Sequence, residues 1–217
     1  DLGIGVLGFG VWIRGFYRLE YTGGVELHSH WQGNEETTEI ITPHGTLHSR
    51  AVISETMRAA DVTPLHTEYP FKSAADYDAL QYLFEHTRVV ENYDEYGTYL
   101  ARIGDDGLSL PYTSWVPMHL LMKDYIGYNQ FYYELYDHLP QLEQVAAAVT
   151  EVHLDIVRVG AGSPAHVIEV GGNYDQAMTP PPIFRKYFLP FYQQAVPILH
   201  SAGKIVALHG DGDMGTE

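Results

Sequence analysis

The chain has 217 residues, with 12 Lys and Arg against 28 Asp and Glu, for a formal net charge of −16. Such a field repels phosphate backbones and anionic bilayers, which argues against nucleic acid or a membrane surface as a partner. An apolar content of 45% fits a globular domain with a well-buried core, and the lack of cysteine excludes disulfides and thiolate metal ligands.

Residues 3–24 are rich in glycine and aromatics and show no clean period; Arg14 and Arg18 lie four apart within them. From Val25 to Ser49 the pattern shortens to polar–apolar alternation. Thr38–Thr42 and Thr46–Ser49 flank Pro43-His44-Gly45 and predict a hairpin within an antiparallel meander. Past Pro64 and Pro70 the spacing becomes helical. Ser73 caps a helix with Asp76 three residues on, and Tyr77, Leu80, Leu83 and Phe84 fall on one face. Gly107–Pro111 predicts a strand, followed by an apolar helix through Met118, Leu121 and Met122. Another helix runs from Gly127 to Asp137. Pro140 opens a longer one with Leu142, Val145, Val149, Val152 and Ile156 on its apolar face.

The last third is the most regular. His166–Val170 predicts a strand that ends at Gly171-Gly172. Pro180-Pro181-Pro182 opens a helix running to Ala202, Gly203 stops it, and Lys204–His209 is the next strand. Strand, helix and strand make a βαβ unit of a parallel sheet. No apolar run approaches the roughly 18 residues of a membrane helix, and no signal peptide opens the chain, so a cytoplasmic protein is expected. Asp1-Leu2-Gly3 lacks a start methionine and the chain stops in a turn-like stretch, so a fragment of a longer domain is expected.

Three stretches carry a family resemblance. They are Thr42–Leu47 with Glu68–Tyr77; Tyr125-Ile126-Gly127 with Phe131–Asp137; and Pro181–Tyr192 with His200–Lys204 and His209–Gly212. Together they resemble the uroporphyrinogen decarboxylase superfamily, most closely its methyltransferase-like branch. The resemblance implies an α/β fold, the TIM (β/α)8 barrel. It would be incomplete here: one domain over residues 1–217, with hairpins in 1–70 and β/α units in 71–217. It implies an enzyme moving a methyl group between a small methylated substrate and a corrinoid protein, with zinc as cofactor. Decarboxylation of uroporphyrinogen, a carboxy-lyase reaction of porphyrin biosynthesis, is the alternative; a catalytically silent ligand-binding barrel is the second.

In such a barrel chemistry sits at the carboxyl ends of strands. His209 and Asp211 stand at one such end, where the family's motif is His-x-Cys; a carboxylate in the cysteine position makes a harder site, suited to polarising an ether oxygen. Glu169 is the expected third metal ligand. Asp175 joins His209 and Asp211 as a candidate catalytic group. Asn173 and Tyr174, in the loop after Gly171-Gly172, and Tyr112 and Trp115, after the Gly107–Pro111 strand, are candidate substrate contacts together with Arg14. Ser114 and His119 share the Tyr112 segment. Arg14 and Arg18 echo the arginine pair that holds carboxylates in the decarboxylases, without the Gln-Ala-Gly between them. His28-Ser29-His30 has the spacing of a strand-borne metal pair, but it runs into a meander and reads instead as an edge strand. His153 reads as packing.

Overall fold

The computed structural model describes residues 15–60, 62–172 and 174–210, with the backbone of residues 6–9. In chain order the elements are β1 (Val6–Phe9), β2 (Tyr17–Tyr21), β3 (Glu26–Gln32), β4 (Glu35–Thr42), β5 (Gly45–Val52), α1 (Glu55–Ala59), β6 (Leu65–Glu68), α2 (Tyr77–Glu85), β7 (Thr87–Glu91) and α3 (Tyr93–Ile103). There follow β8 (Gly107–Leu110), α4 (Pro117–Leu120), a π-helical stretch Leu121–Ile126, α5 (Tyr128–Asp137), α6 (Leu139–Gly162) and β9 (Val167–Glu169). The last are α7 (Pro181–Ile183), a second π-helical stretch Phe184–Phe188, α8 (Leu189–Ser201) and β10 (Ile205–Ala207). The described residues divide into two compact units.

One unit comprises the described residues up to Glu20, Arg88–His119 and those from Thr150 onward. Its strands are short and parallel. β1 pairs with β8, and β10 with β9. The chain just past β8 meets β9 through a single parallel bridge, Tyr112 to Glu169. Two backbone bonds hold that bridge: Glu169 N–H donates to the Pro111 carbonyl and Thr113 N–H to the Glu169 carbonyl, each at 3.0 Å. Ile168 and Val170 are fully buried, as expected of a parallel strand covered on both faces. The α7–α8 helix returns the chain to β10 and lays Phe188, Phe191, Ala195 and Leu199 inward at helical spacing. Gly160 lets α6 approach Phe16 closely: a Cβ there would stand 3.2 Å from the ring.

The other unit comprises Tyr21–Thr87 and Leu120–Val149. Its sheet runs β3-β4-β5-β6, antiparallel throughout, with β3 at one edge. The predicted hairpin is β4–β5, closed at Pro43-His44; Thr42 Oγ1 donates to the Gly45 carbonyl and accepts from His44 N–H. Ser73 and Asp76 form a full capping box, and the predicted face of α2 is buried at Tyr77, Leu80, Leu83 and Phe84. That face packs on β4 and β5, where Ile40, Leu47 and Ala51 point inward.

The closed (β/α)8 barrel expected from the resemblance is not formed by the described residues. Closure takes a ring of eight parallel strands. Here parallel pairing is confined to β1–β8 and β9–β10 with the Tyr112–Glu169 bridge between them. Four consecutive strands, β3 to β6, go instead into an antiparallel sheet whose tight turns leave no room for crossover helices. The fold is mixed α/β. Among the described residues no helix is long and apolar enough to cross a membrane.

Candidate functional site at the carboxyl ends of the parallel strands

β9 is three residues long and buried throughout, and its last residue is a glutamate. Burying a carboxyl group is costly unless hydrogen bonds replace its water. Glu169 is 4% exposed, and its Oε2 is buried with no hydrogen-bond partner among the described residues. Burial raises its pKa above the ordinary carboxyl value, and nearby His209 pulls it back in part. His209 thus acts electrostatically on Glu169. It follows β10, the strand paired with β9, and presses on the backbone just beyond Glu169.

Two glycines make that approach possible. Gly171 and Gly172 adopt φ of +65° and +153°, which L side chains rarely accept. A Cβ on Gly172 would fall 2.8 Å from His209 Cβ and 3.1 Å from its carbonyl oxygen. One on Gly171 would fall 2.3 Å from the Tyr192 hydroxyl. The bare turn therefore admits both side chains against the end of β9.

Tyrosine hydroxyls are concentrated below it. Tyr174 Oη and Tyr192 Oη are 2.5 Å apart, and Tyr192 Oη donates to the Val170 carbonyl at 3.3 Å. Burial raises the pKa of both phenols, so both stay protonated at neutral pH. An aromatic run lines the same region. Tyr112 and Trp115 meet edge to face at 5.9 Å, Trp115 lies 4.7 Å from His119, His119 5.6 Å from Tyr174, and Tyr174 5.1 Å from Phe184. Ser114, between Tyr112 and Trp115, has φ +125°, and its carbonyl accepts Gly171 N–H at 3.2 Å. A serine held in that region marks local strain, which tends to gather at working sites.

Of the residues expected from sequence, the structure brings together Glu169, His209, Tyr112, Trp115 and Tyr174. Asp175 stands beside them as a turn residue. Its Oδ1 accepts Ala177 and Met178 N–H at 2.8 and 3.2 Å, and its carbonyl accepts Thr179 N–H. Asn173, Asp211 and Arg14 lie outside the described residues. Arg18 is spent on the surface, pairing with Glu20 at 2.9 Å and reaching the Glu91 carbonyl. His28 lies on the exposed edge strand, 3.0 Å from Glu26, and His153 is buried with its ring against Phe191. Tyr192 is the member that side-chain spacing alone did not single out. Its signal is positional, one helical turn past Phe188 on the inward face of the helix that follows the Gly-Gly turn.

A catalytic zinc takes three protein donors. Among the described residues no group of three His, Cys, Asp or Glu side chains converges. Glu169 and His209 supply two, one short of that set, and no chemical step is derived through zinc here.

No protein-family model and no curated protein matches the sequence. Among solved structures, a methyltransferase from Methanosarcina mazei aligns with a TM-score of 0.45 and 14% identity, over 69% of this chain. The chain spans 44% of that methyltransferase's length. The likeness is to a distant structural neighbour and does not by itself carry an activity.

Proposed function

We propose that the chain is a methyltransferase-like enzyme in which Glu169, kept uncharged by burial, protonates the leaving oxygen of a small methylated substrate. The observation that carries this reading is a buried carboxyl group with an unbonded Oε2 beside His209 at a strand end. Such a carboxyl is expensive to keep as structure and useful as an acid.

The step balances simply. The methyl carbon is taken by a nucleophile, the C–O bond breaks, and its electron pair stays on oxygen. The Glu169 proton passes to that oxygen and leaves a carboxylate, whose charge a protonated His209 offsets until solvent restores the proton. The aromatic run from Tyr112 to Phe184 holds the donor and excludes water, which strengthens the electrostatics at Glu169. The acceptor belongs to this reading as an expectation from the family resemblance: a corrinoid carried on a partner protein supplies the methyl-seeking nucleophile. No observation among the described residues favours the decarboxylase alternative, since Arg18 is engaged at the surface.

The test is methyl transfer from methoxybenzene to chemically reduced cobalamin, followed by the absorbance of methylcobalamin. Transfer by the wild-type chain and its loss in Glu169→Gln support the proposal. No transfer, or transfer unchanged by that substitution, removes it.

A further inference from the structure

Next to the Glu169 site is a cavity of about 220 Å³, smaller than the range typical of drug-sized ligands and suited to a single substituted ring. Its walls differ in character. Tyr174 and Phe184 meet at 84° and form an aromatic corner, and Pro181 and Leu208 complete the apolar side. Leu208 is 49% exposed, a large apolar surface left open beside buried rings. Arg185 and Asp175 also line the cavity.

Arg185 is the unusual member. Cations are outnumbered by 12 to 28 in this chain, and the other arginines with described ion pairs, Arg18, Arg50 and Arg158, all face carboxylates. Arg185 has neither an ion pair nor a hydrogen bond among the described residues, although it shares the cavity with Asp175. The Asp175 carboxylate is turned to its own turn instead, with Oδ1 taken by two backbone N–H groups. A planar guanidinium left uncommitted at the rim of an aromatic corner offers paired donors at fixed spacing, the geometry that carboxylates fit.

We propose that this cavity binds a small aromatic carboxylate, with its ring in the Tyr174–Phe184 corner over Leu208 and its carboxylate on Arg185. The inference deepens the methyl-transfer reading and rests on it only for what happens to the ligand after binding. Affinity comes from apolar burial and orientation from the single cation.

Isothermal titration with benzoate tests this, with acetate and methoxybenzene as partial probes. The wild-type chain should bind benzoate saturably, and each partial probe at least about tenfold more weakly. Arg185→Gln should weaken benzoate by roughly tenfold to a hundredfold, the loss of one charge-assisted pair. Arg158→Gln, an exposed arginine paired with Asp155 at 2.6 Å, should leave benzoate affinity unchanged. Absence of saturable benzoate binding overturns the assignment. So does equal affinity in Arg185→Gln, or tighter binding of methoxybenzene than of benzoate. Glu169→Gln separates the two proposals: it should bind benzoate like the wild type while transferring no methyl group. Benzoate binding without any transfer would remove the reaction and leave the ligand class. Transfer without benzoate binding would do the reverse.

Discussion

Two buried glutamates in this chain, almost equally hidden, are treated in opposite ways. Glu134 on α5 is 3% exposed, and both of its oxygens are occupied. Oε2 accepts the Tyr77 hydroxyl at 2.8 Å, Oε1 accepts Gln130 Nε2 at 2.6 Å, and His138 Nδ1 sits 2.8 Å from Oε2. Glu169 is 4% exposed and leaves Oε2 with nothing among the described residues. The same side chain at the same depth is therefore a clamp in one place and an unspent group in the other. Burial alone does not mark a site; burial without satisfaction does.

Substitution at the two positions should separate these roles. The largest expected effect is on turnover. Glu169→Gln should slow methyl transfer by about 100-fold or more, while a thermal melt shows stability equal to or above the wild type. Next, Glu134→Ala should destabilise the fold by about 2–3 kcal/mol in urea titrations, because the Tyr77 hydroxyl is left buried without a partner. If Glu134→Ala melted like the wild type, or Glu169→Ala cost as much as Glu134→Ala, the contrast would collapse.

Smaller is the cost of filling the turn. Gly172→Ala adds a Cβ at φ +153° against His209 and should lose roughly 1–2 kcal/mol, with turnover falling more than stability. Smaller again is a pH effect. Glu169 has a raised pKa in the folded chain, so between its unfolded and folded values the native state holds more protons than the unfolded one. Its stabilising contribution is complete below about pH 4.3, and is lost as pH rises through the folded value. Denaturation midpoints for the wild type should fall relative to Glu169→Gln across that window, and parallel curves would rule the effect out. The least effect belongs to the outer face of the antiparallel sheet. Glu39 lies 3.3 Å from His48 with both half-exposed, and Glu39→Gln should change stability by less than about 0.5 kcal/mol.

Much of the local structure was legible from residues alone, because local rules govern it. The Ser73–Asp76 capping box, the face Tyr77-Leu80-Leu83-Phe84, the turn at Pro43-His44 and the stop at Gly203 depend on neighbours within a few positions. α3 and β2 were not legible. Tyr93–Ile103 has only Tyr96 buried, so its apolar periodicity is faint, and Tyr17–Tyr21 sits among glycines and aromatics without alternation. The barrel failed for a different reason. Each βαβ segment is locally sound, and whether strands go on to close a ring depends on pairings between distant residues that no local pattern encodes. At the site, Glu169 and His209 could be nominated from their strand ends. The missing partner of Oε2 is a property of the packed interior and has no sequence signal.

The π-helical stretch Phe184–Phe188 bears on how the helix between β9 and β10 can change over time. A π turn carries one residue more than the α-helical register allows, so it behaves as an insertion absorbed in place. Excising a single residue there would restore regular winding and swing all that follows by about 100°. Tyr192 would rotate off the Val170 carbonyl, and Phe188 and Phe191 would leave the core. The length of this helix, counted to the residue, is thus as firmly constrained as the chemistry of any side chain it carries.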